Sequence, residues 1–167
     1  IQRSRGLGDV YKRQILTKYF KYLVNHNKTL HIIGLISNGG VHSNFNHLLF
    51  LCKYAKQSGV KRIYIHGFTD GRDSNPKNGI KFIKQLENNN SPEIELVSVI
   101  GRYYAMDRDK RWERTKLAYD LLVKGKGEKS KMISDSIIES YKKGITDEFI
   151  KPIIKVDNNG EKISNIK

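Results

Sequence analysis

The sequence predicts an α/β protein: a mostly parallel sheet covered by helices, with its strand-end loops forming one anion pocket. Three observations carry that expectation. Apolar runs of strand length alternate three times with stretches of helical periodicity. The links between them are short, which calls for parallel strands joined by helical crossovers. Each run also ends in a polar loop containing glycine, at residues 37–43, 69–73 and 101–108. Like-directed strands bring those three loops to one edge, the edge at which open α/β sheets bind ligands.

The elements follow in order. Residues 15–25 place Ile15, Tyr19, Phe20, Leu23 and Val24 at helical spacing, and Asn25-His26-Asn27 breaks the pattern. Residues 30–36 form a first strand, apolar enough for a sheet covered on both faces. The next helix is capped at Ser43 or Asn44, turns Leu48, Leu49, Leu51, Cys52 and Ala55 inward and closes at Gly59. Residues 60–68 form a second strand. Asn75 is then expected to cap a helix with Pro76 in its first position and Ile80, Ile83 and Leu86 inward. The third strand, residues 94–100, enters an arginine-rich stretch, GRYYAMDRDKRWER, at residues 101–114. The helix beyond it is expected to bury Trp112, Leu117, Leu121 and Leu122 and to stop near Gly125. Another helix, from about 134 to 144, carries Ile137, Ile138 and Tyr141 on one face. Two apolar runs, residues 153–156 and 162–166, flank Asp157-Asn158-Asn159-Gly160 and predict a C-terminal β-hairpin.

At 167 residues, 38% apolar and 29% charged, the chain suffices for one domain and its core. No apolar run approaches the roughly 20 residues of a membrane span, and no signal-peptide pattern is present. The single cysteine, Cys52, excludes an internal disulfide and is expected to be a buried, inert thiol. Residues 1–14 lack helical or strand period, and Asp9-Val10-Tyr11-Lys12-Arg13-Gln14 resembles a translated sequencing adapter. They are expected to be non-native and are set aside, leaving 15–167 as the domain. That segment holds four cations and one anion, so eleven of the fourteen formal positive charges lie on residues 15–167. The balance favours anionic partners.

Arg72, Arg102 and Arg108 suit a small ligand with more than one negative charge, because a planar guanidinium grips phosphate or carboxylate with two hydrogen bonds. Three guanidiniums in one pocket repel one another unless an anion sits among them. Gly39-Gly40 and Gly71 leave room for backbone N–H groups to reach phosphate oxygens. Asp73 is the carboxylate best placed for proton transfer to a hydroxyl, acting first as a base. Its alternative is structural, capping the following helix or pairing with Arg72. His42 can donate to a phosphoryl oxygen or serve as a bonded turn residue. The arginine-rich stretch can equally be an ion-paired helix start, with Asp107 and Asp109 answering Arg111 and Lys110. His31, His47 and His66 read as structural and His26 as surface. Tyr103, Tyr104 and Trp112 read as core and pocket wall. No spacing of histidines and carboxylates makes a metal site.

Ser37–Ser43, Asp70–Asp73 and Gly101–Arg114, in this order, resemble cofactor-independent phosphoglycerate mutase. The likeness runs from about Leu30 to Ile150 and includes Gly125-Lys126-Gly127-Glu128 and Gly144-Ile145-Thr146-Asp147-Glu148-Phe149. It implies a large piece of the phosphotransferase domain that this family inserts within a metal-binding, phosphatase-like domain. It further implies transfer between the 2- and 3-hydroxyls of glycerate, through a phosphoserine on the other domain. His42, Arg72, Asp73, Arg102 and Arg108 match the family's substrate-binding residues, with Asp73 as the acid/base. The implied partners are 3-phosphoglycerate, 2-phosphoglycerate and the missing phosphatase-like domain, where two manganese or similar ions reside; this piece is expected to bind no cofactor and to be inactive alone. A cytoplasmic monomer that binds neither nucleic acid nor membrane is expected. Asn38 stands where the family has aspartate. Two other readings compete: a phosphatase-type hydrolase domain of the same superfamily, and a basic nucleic-acid-binding module, for which no RNP, KH or zinc-finger pattern is present.

Overall fold

The computed structural model describes residues 2–89 and 91–166, with residues 2–13 as backbone alone. Three strands, β1 (Leu30–Ile36), β2 (Ile63–Thr69) and β3 (Ile94–Gly101), run parallel. Two short ones complete a five-stranded sheet in the order β1-β2-β3-β5-β4. β5 (Ile153–Lys155) lies antiparallel to β3, and β4 (Glu128–Ser130) lies parallel to β5. The sheet is therefore mostly parallel, as the alternating pattern requires. The three-residue β4 carries no apolar period and had no sequence signal.

The two faces of the sheet are covered unequally. One face presents Ile36, Ile63, Ile65, Leu96 and Val99 to four helices. These are α1 (Gln2–Asn25), α2 (Phe45–Gln57), α3 (Gly79–Glu87) and α6 (Ile133–Lys142), which contribute Phe20, Cys52, Ala55, Ile83, Leu86 and Ile137. Each of the buried isoleucines contributes roughly 1.5–3 kcal/mol by leaving water. The other face has a small cluster, Ile100 and Ile154 against Ala118 and Leu121 of α5 (Trp112–Lys124). α5 lies over β3, so the edge strand β1 is not covered on both faces, and Ile33 is 47% exposed.

Several expectations shift in detail. α1 continues back through residues 2–14, where the sequence has no helical period, and packs through Leu16, Phe20 and Leu23 while Ile15, Tyr19 and Val24 face solvent. α2 is capped by Asn44, whose side chain accepts the N–H of Asn46. α3 begins at Gly79, three residues later than Pro76, because Asn75 instead closes a turn by accepting the N–H of Lys77. α5 buries Ala118 and Leu121, while Leu122 is half-buried and Trp112, 76% exposed, and Leu117 lie outside. The helix meets the sheet through a narrow stripe, Ala118 and Leu121. The C-terminal hairpin closes at Asp157–Gly160 through a bridge between Val156 and Lys162. Its second arm then leaves the sheet, and Ile166 donates its N–H to the carbonyl of Leu122.

Candidate functional site

The register of the parallel strands sets Ile36 beside Thr69 and Thr69 beside Gly101. The loops that follow β1, β2 and β3 therefore leave the sheet side by side. They enclose a cavity of about 530 Å³ lined by His42, Arg72, Asp73, Arg102 and Arg108. All five residues singled out from the sequence face one space. Tyr103 lines it as the pocket wall the sequence suggested; Met106, Asp107, Asp109, Arg114, Glu148 and Phe149 complete the lining and were not assigned to a site from the sequence.

The floor of the cavity is an ion-paired core. β3 runs without a break into a single helical turn, α4 (Arg102–Ala105), which buries Arg102 where the sequence suggested an open loop. Arg102 Nη1 lies 2.6 Å from Asp70 Oδ1 and 2.6 Å from Asp73 Oδ2. Asp70 also accepts the hydroxyl of Ser37 and the backbone N–H groups of Arg72 and Asp73. Burial alone would raise the Asp70 pKa, but the Ser37 hydroxyl, the Asp73 N–H and Arg102 outweigh it and hold the carboxyl at about 2. Burial likewise opposes the charge on Arg102, and its two carboxylate partners more than restore it, raising its pKa. Asp73 Oδ2 lies 3.8 Å from His42 Nε2. Its Oδ1 engages no other group among the described residues, so one carboxylate oxygen stays available to a ligand.

A turn that the sequence left unassigned locks this floor. Asp147–Phe149 forms a 3-10 turn wedged between the loops after β2 and β3. Asp147 is fully buried; its carboxylate accepts the N–H of Gly79 at 2.8 Å and the hydroxyl of Tyr141. Its carbonyl accepts the hydroxyl of Thr69, and its N–H donates to the carbonyl of Pro76. A carboxylate from 68 residues away thus supplies the α3 cap expected of Asn75. Burial raises the Asp147 pKa, with these hydrogen bonds opposing the rise. The backbone here is close-packed: a Cβ on Gly71, which sits at φ +67°, would come within 2.7 Å of the Glu148 nitrogen. A Cβ on Gly101 would collide with the Glu148 carbonyl. The Gly71 position therefore admits protein backbone, where the sequence suggested approach to phosphate. Glu148 in turn faces Arg72 at 3.8 Å.

The opposite wall, residues 106–111, is held more lightly. Arg114 stacks over the Tyr103 ring, 3.8 Å from its centroid, and pairs with Asp107 at 3.1 Å and Asp109 at 3.3 Å. Asp107 also accepts the backbone N–H of Arg111. The two acids thus answer Arg114, with the Arg111 side chain and Lys110 taking no part. Arg108 is exposed and pairs with no carboxylate among the described residues. The three guanidiniums are therefore not the mutually repelling bare set that the sequence suggested. Arg102 is neutralised by Asp70 and Asp73, Arg72 faces Glu148, and Arg108 alone presents an uncompensated charge.

Such a site can grip a small dianion from one side and present a carboxylate oxygen to a hydroxyl from the other. Among the described residues no three histidine, cysteine or acidic side chains gather as ligands, and the cavity carboxylates are engaged by arginines. That donor set does not fit a divalent ion. Asn38 is exposed and makes no side-chain hydrogen bond among the described residues. His66 is buried, His31 is half-buried beside it, and Cys52 is buried. Burial pushes the Cys52 thiol up to about 11, which leaves it unreactive.

A model of the family described as BPG-independent PGAM N-terminus (iPGM_N) matches residues 1–167. Among curated relatives, the 2,3-bisphosphoglycerate-independent phosphoglycerate mutase of Flavobacterium johnsoniae is 48% identical over 157 residues, covering 93% of this chain and 31% of its own length. That of Parabacteroides distasonis is 51% identical over 144 residues, 86% of this chain and 28% of the relative. The chain therefore spans about a third of the length of the relatives it matches. A solved structure described as Leishmania mexicana phosphoglycerate mutase at low cobalt concentration superposes with a TM-score of 0.85 at 27% identity, covering 99% of this chain and 32% of that one. The fold, the match across the whole sequence and these identities agree: the chain belongs to the BPG-independent phosphoglycerate mutase N-terminus family.

Proposed function

We propose that this chain is the substrate-holding part of an isomerase that interconverts 3-phosphoglycerate and 2-phosphoglycerate. One observation carries the reading: His42, Arg72, Arg102 and Arg108 converge on Asp73 in one cavity at the carboxyl ends of parallel strands. In this reading residues 15–167 are part of an inserted phosphotransferase domain. The phosphoryl group passes to and from a serine on a companion phosphatase-like domain. The two divalent ions, manganese or similar, belong to that domain. The protein works as a cytoplasmic monomer in glycolysis and gluconeogenesis.

The geometry supports the following division of labour. Arg108, with no carboxylate partner among the described residues, and Arg72, weakly held by Glu148, bind the charged ends of the ligand. Arg102 stays with Asp70 and Asp73 and fixes the carboxylate in place. Asp73 Oδ1 takes the proton of the glycerate hydroxyl as that oxygen attacks the phosphoserine phosphorus and the serine oxygen leaves, and returns it in the reverse direction. His42, 3.8 Å from Asp73, donates to a phosphoryl or carboxylate oxygen of the ligand.

The test is Asp73→Asn in the full-length enzyme. Loss of a general base should lower kcat by about 10²–10⁴-fold, with the fold retained because Asp70 still pairs with Arg102. Wild-type turnover in a folded variant would remove Asp73 from the proton-transfer role. This chain alone should show no mutase turnover, and deleting residues 1–14 should leave its ligand affinity unchanged.

A further inference from the structure

At the amino ends of the strands, on the opposite edge from Asp73, a second cleft of about 660 Å³ opens. Lys28 and Arg62, just ahead of β1 and β2, form one side, and Lys162 and Ser164 of the C-terminal segment form the other. His31 and Tyr64 form the wall between them, their rings edge to face at 5.7 Å. No carboxylate lines this cleft among the described residues, in contrast to the strand-end cavity. Glu95, the register partner of Tyr64, is paired with Lys155 at 2.9 Å. Lys162 is held by the carbonyl of Lys124, which fixes its charge at the rim.

His31 is the outer, cleft-facing end of a polar chain. Its Nδ1 lies 2.9 Å from His66 Nε2, and His66 Nδ1 lies 2.7 Å from Ser98 Oγ. With both rings neutral, this chain has two orientations. In one, Ser98 donates to His66, His66 donates to His31, and His31 Nε2 carries a hydrogen. In the other every donor reverses and His31 Nε2 is a bare lone pair. A cation would select the second orientation, but Lys28, Arg62 and Lys162 repel cations from the cleft. An anion selects the first.

We propose that this cleft is a second anion site, separate from the strand-end cavity, which takes a phosphate or phosphate-monoester dianion between Lys28 and Arg62. His31 Nε2–H donates to the anion, and the Ser98–His66–His31 chain orients that donor. A seven-residue strand separates the two sites by about 20 Å, so they bind independently.

The test titrates the chain with inorganic phosphate while following backbone amides and the ring nitrogens of His31 and His66 by NMR. The expected result is a saturable response at residues 28–31 and 62–64, with the His31 nitrogen shifts moving to the Nε2–H tautomer. The response should survive Arg108→Ala and weaken roughly tenfold or more in Arg62→Ala or Lys28→Ala, each of which removes a charged donor from an exposed position. Three outcomes would overturn the site: no saturable change at His31, a response indifferent to both cleft substitutions, or one that disappears with Arg108→Ala. Failure here leaves the strand-end cavity untouched, since that cavity is read at Arg72 and Arg108.

Discussion

The two walls of the strand-end cavity are built on opposite plans. On the β2 side, every charge is answered from within: Asp70 by Ser37, Arg102 and two backbone N–H groups, and Asp147 by Gly79 and Tyr141. On the β3 side, residues 106–111 lie largely in solvent, Lys110 adopts φ 58°, and Arg108 has no carboxylate partner among the described residues. The first wall fixes the Asp73 carboxylate, the group proposed for proton transfer, through its bond to Arg102. The second keeps a cation free for whatever enters. Pre-organised chemistry and unsatisfied charge occupy separate loops, so each can be altered without destroying the other.

Substitutions should separate the walls by the size of their effects. Arg102→Ala strands the buried Asp70 and the half-buried Asp73 without their cation, and should cost about 3–5 kcal/mol in urea unfolding; a loss below 1 kcal/mol would mean that this wall is not held by charge. Asp147→Ala leaves the Gly79 N–H and the Tyr141 hydroxyl without their acceptor, and should cost about 1–3 kcal/mol, with faster hydrogen exchange spreading through residues 69–79. Acid sharpens the same contrast. Asp70 is held at about 2 against an ordinary 3.8, so its stabilisation is fully present above pH 3.8 and lost as pH falls toward 2. After allowance for screening, that loss is on the order of 1–2 kcal/mol, and Asp70→Asn should flatten the stability curve over this interval. Arg108→Ala should change stability by less than about 0.5 kcal/mol while weakening phosphoglycerate binding roughly tenfold. A large stability loss there would erase the distinction between the walls.

How much of this was legible in the sequence depends on the range of the interactions. Strands β1 and β3 could be read to within a residue, because runs such as Leu30–Ile36 carry their burial in composition. The convergence of Arg72, Arg102 and Arg108 was legible too, since parallel crossovers leave few alternatives for loops at like strand ends. Asp147 was not legible as part of the site. Its partners Gly79, Thr69 and Pro76 lie some 70 residues away, and no local pattern marks a carboxylate that caps a distant helix. Trp112 misled because an aromatic at helical spacing signals burial only when the helix face reaches the sheet at that turn. The pairing of Arg102 with Asp70 and Asp73 was missed for a related reason. Counting cations along the loops ignored the acids that the fold places beneath them.

The most direct test of the central claim, that one cavity holds the substrate around Asp73, is titration of the folded chain with 3-phosphoglycerate followed by NMR. The account predicts saturable shifts at Arg72, Asp73, Arg102 and Arg108 at millimolar ligand, with the Arg108→Ala variant binding more weakly. A folded chain whose resonances in these loops do not respond at millimolar ligand would contradict it.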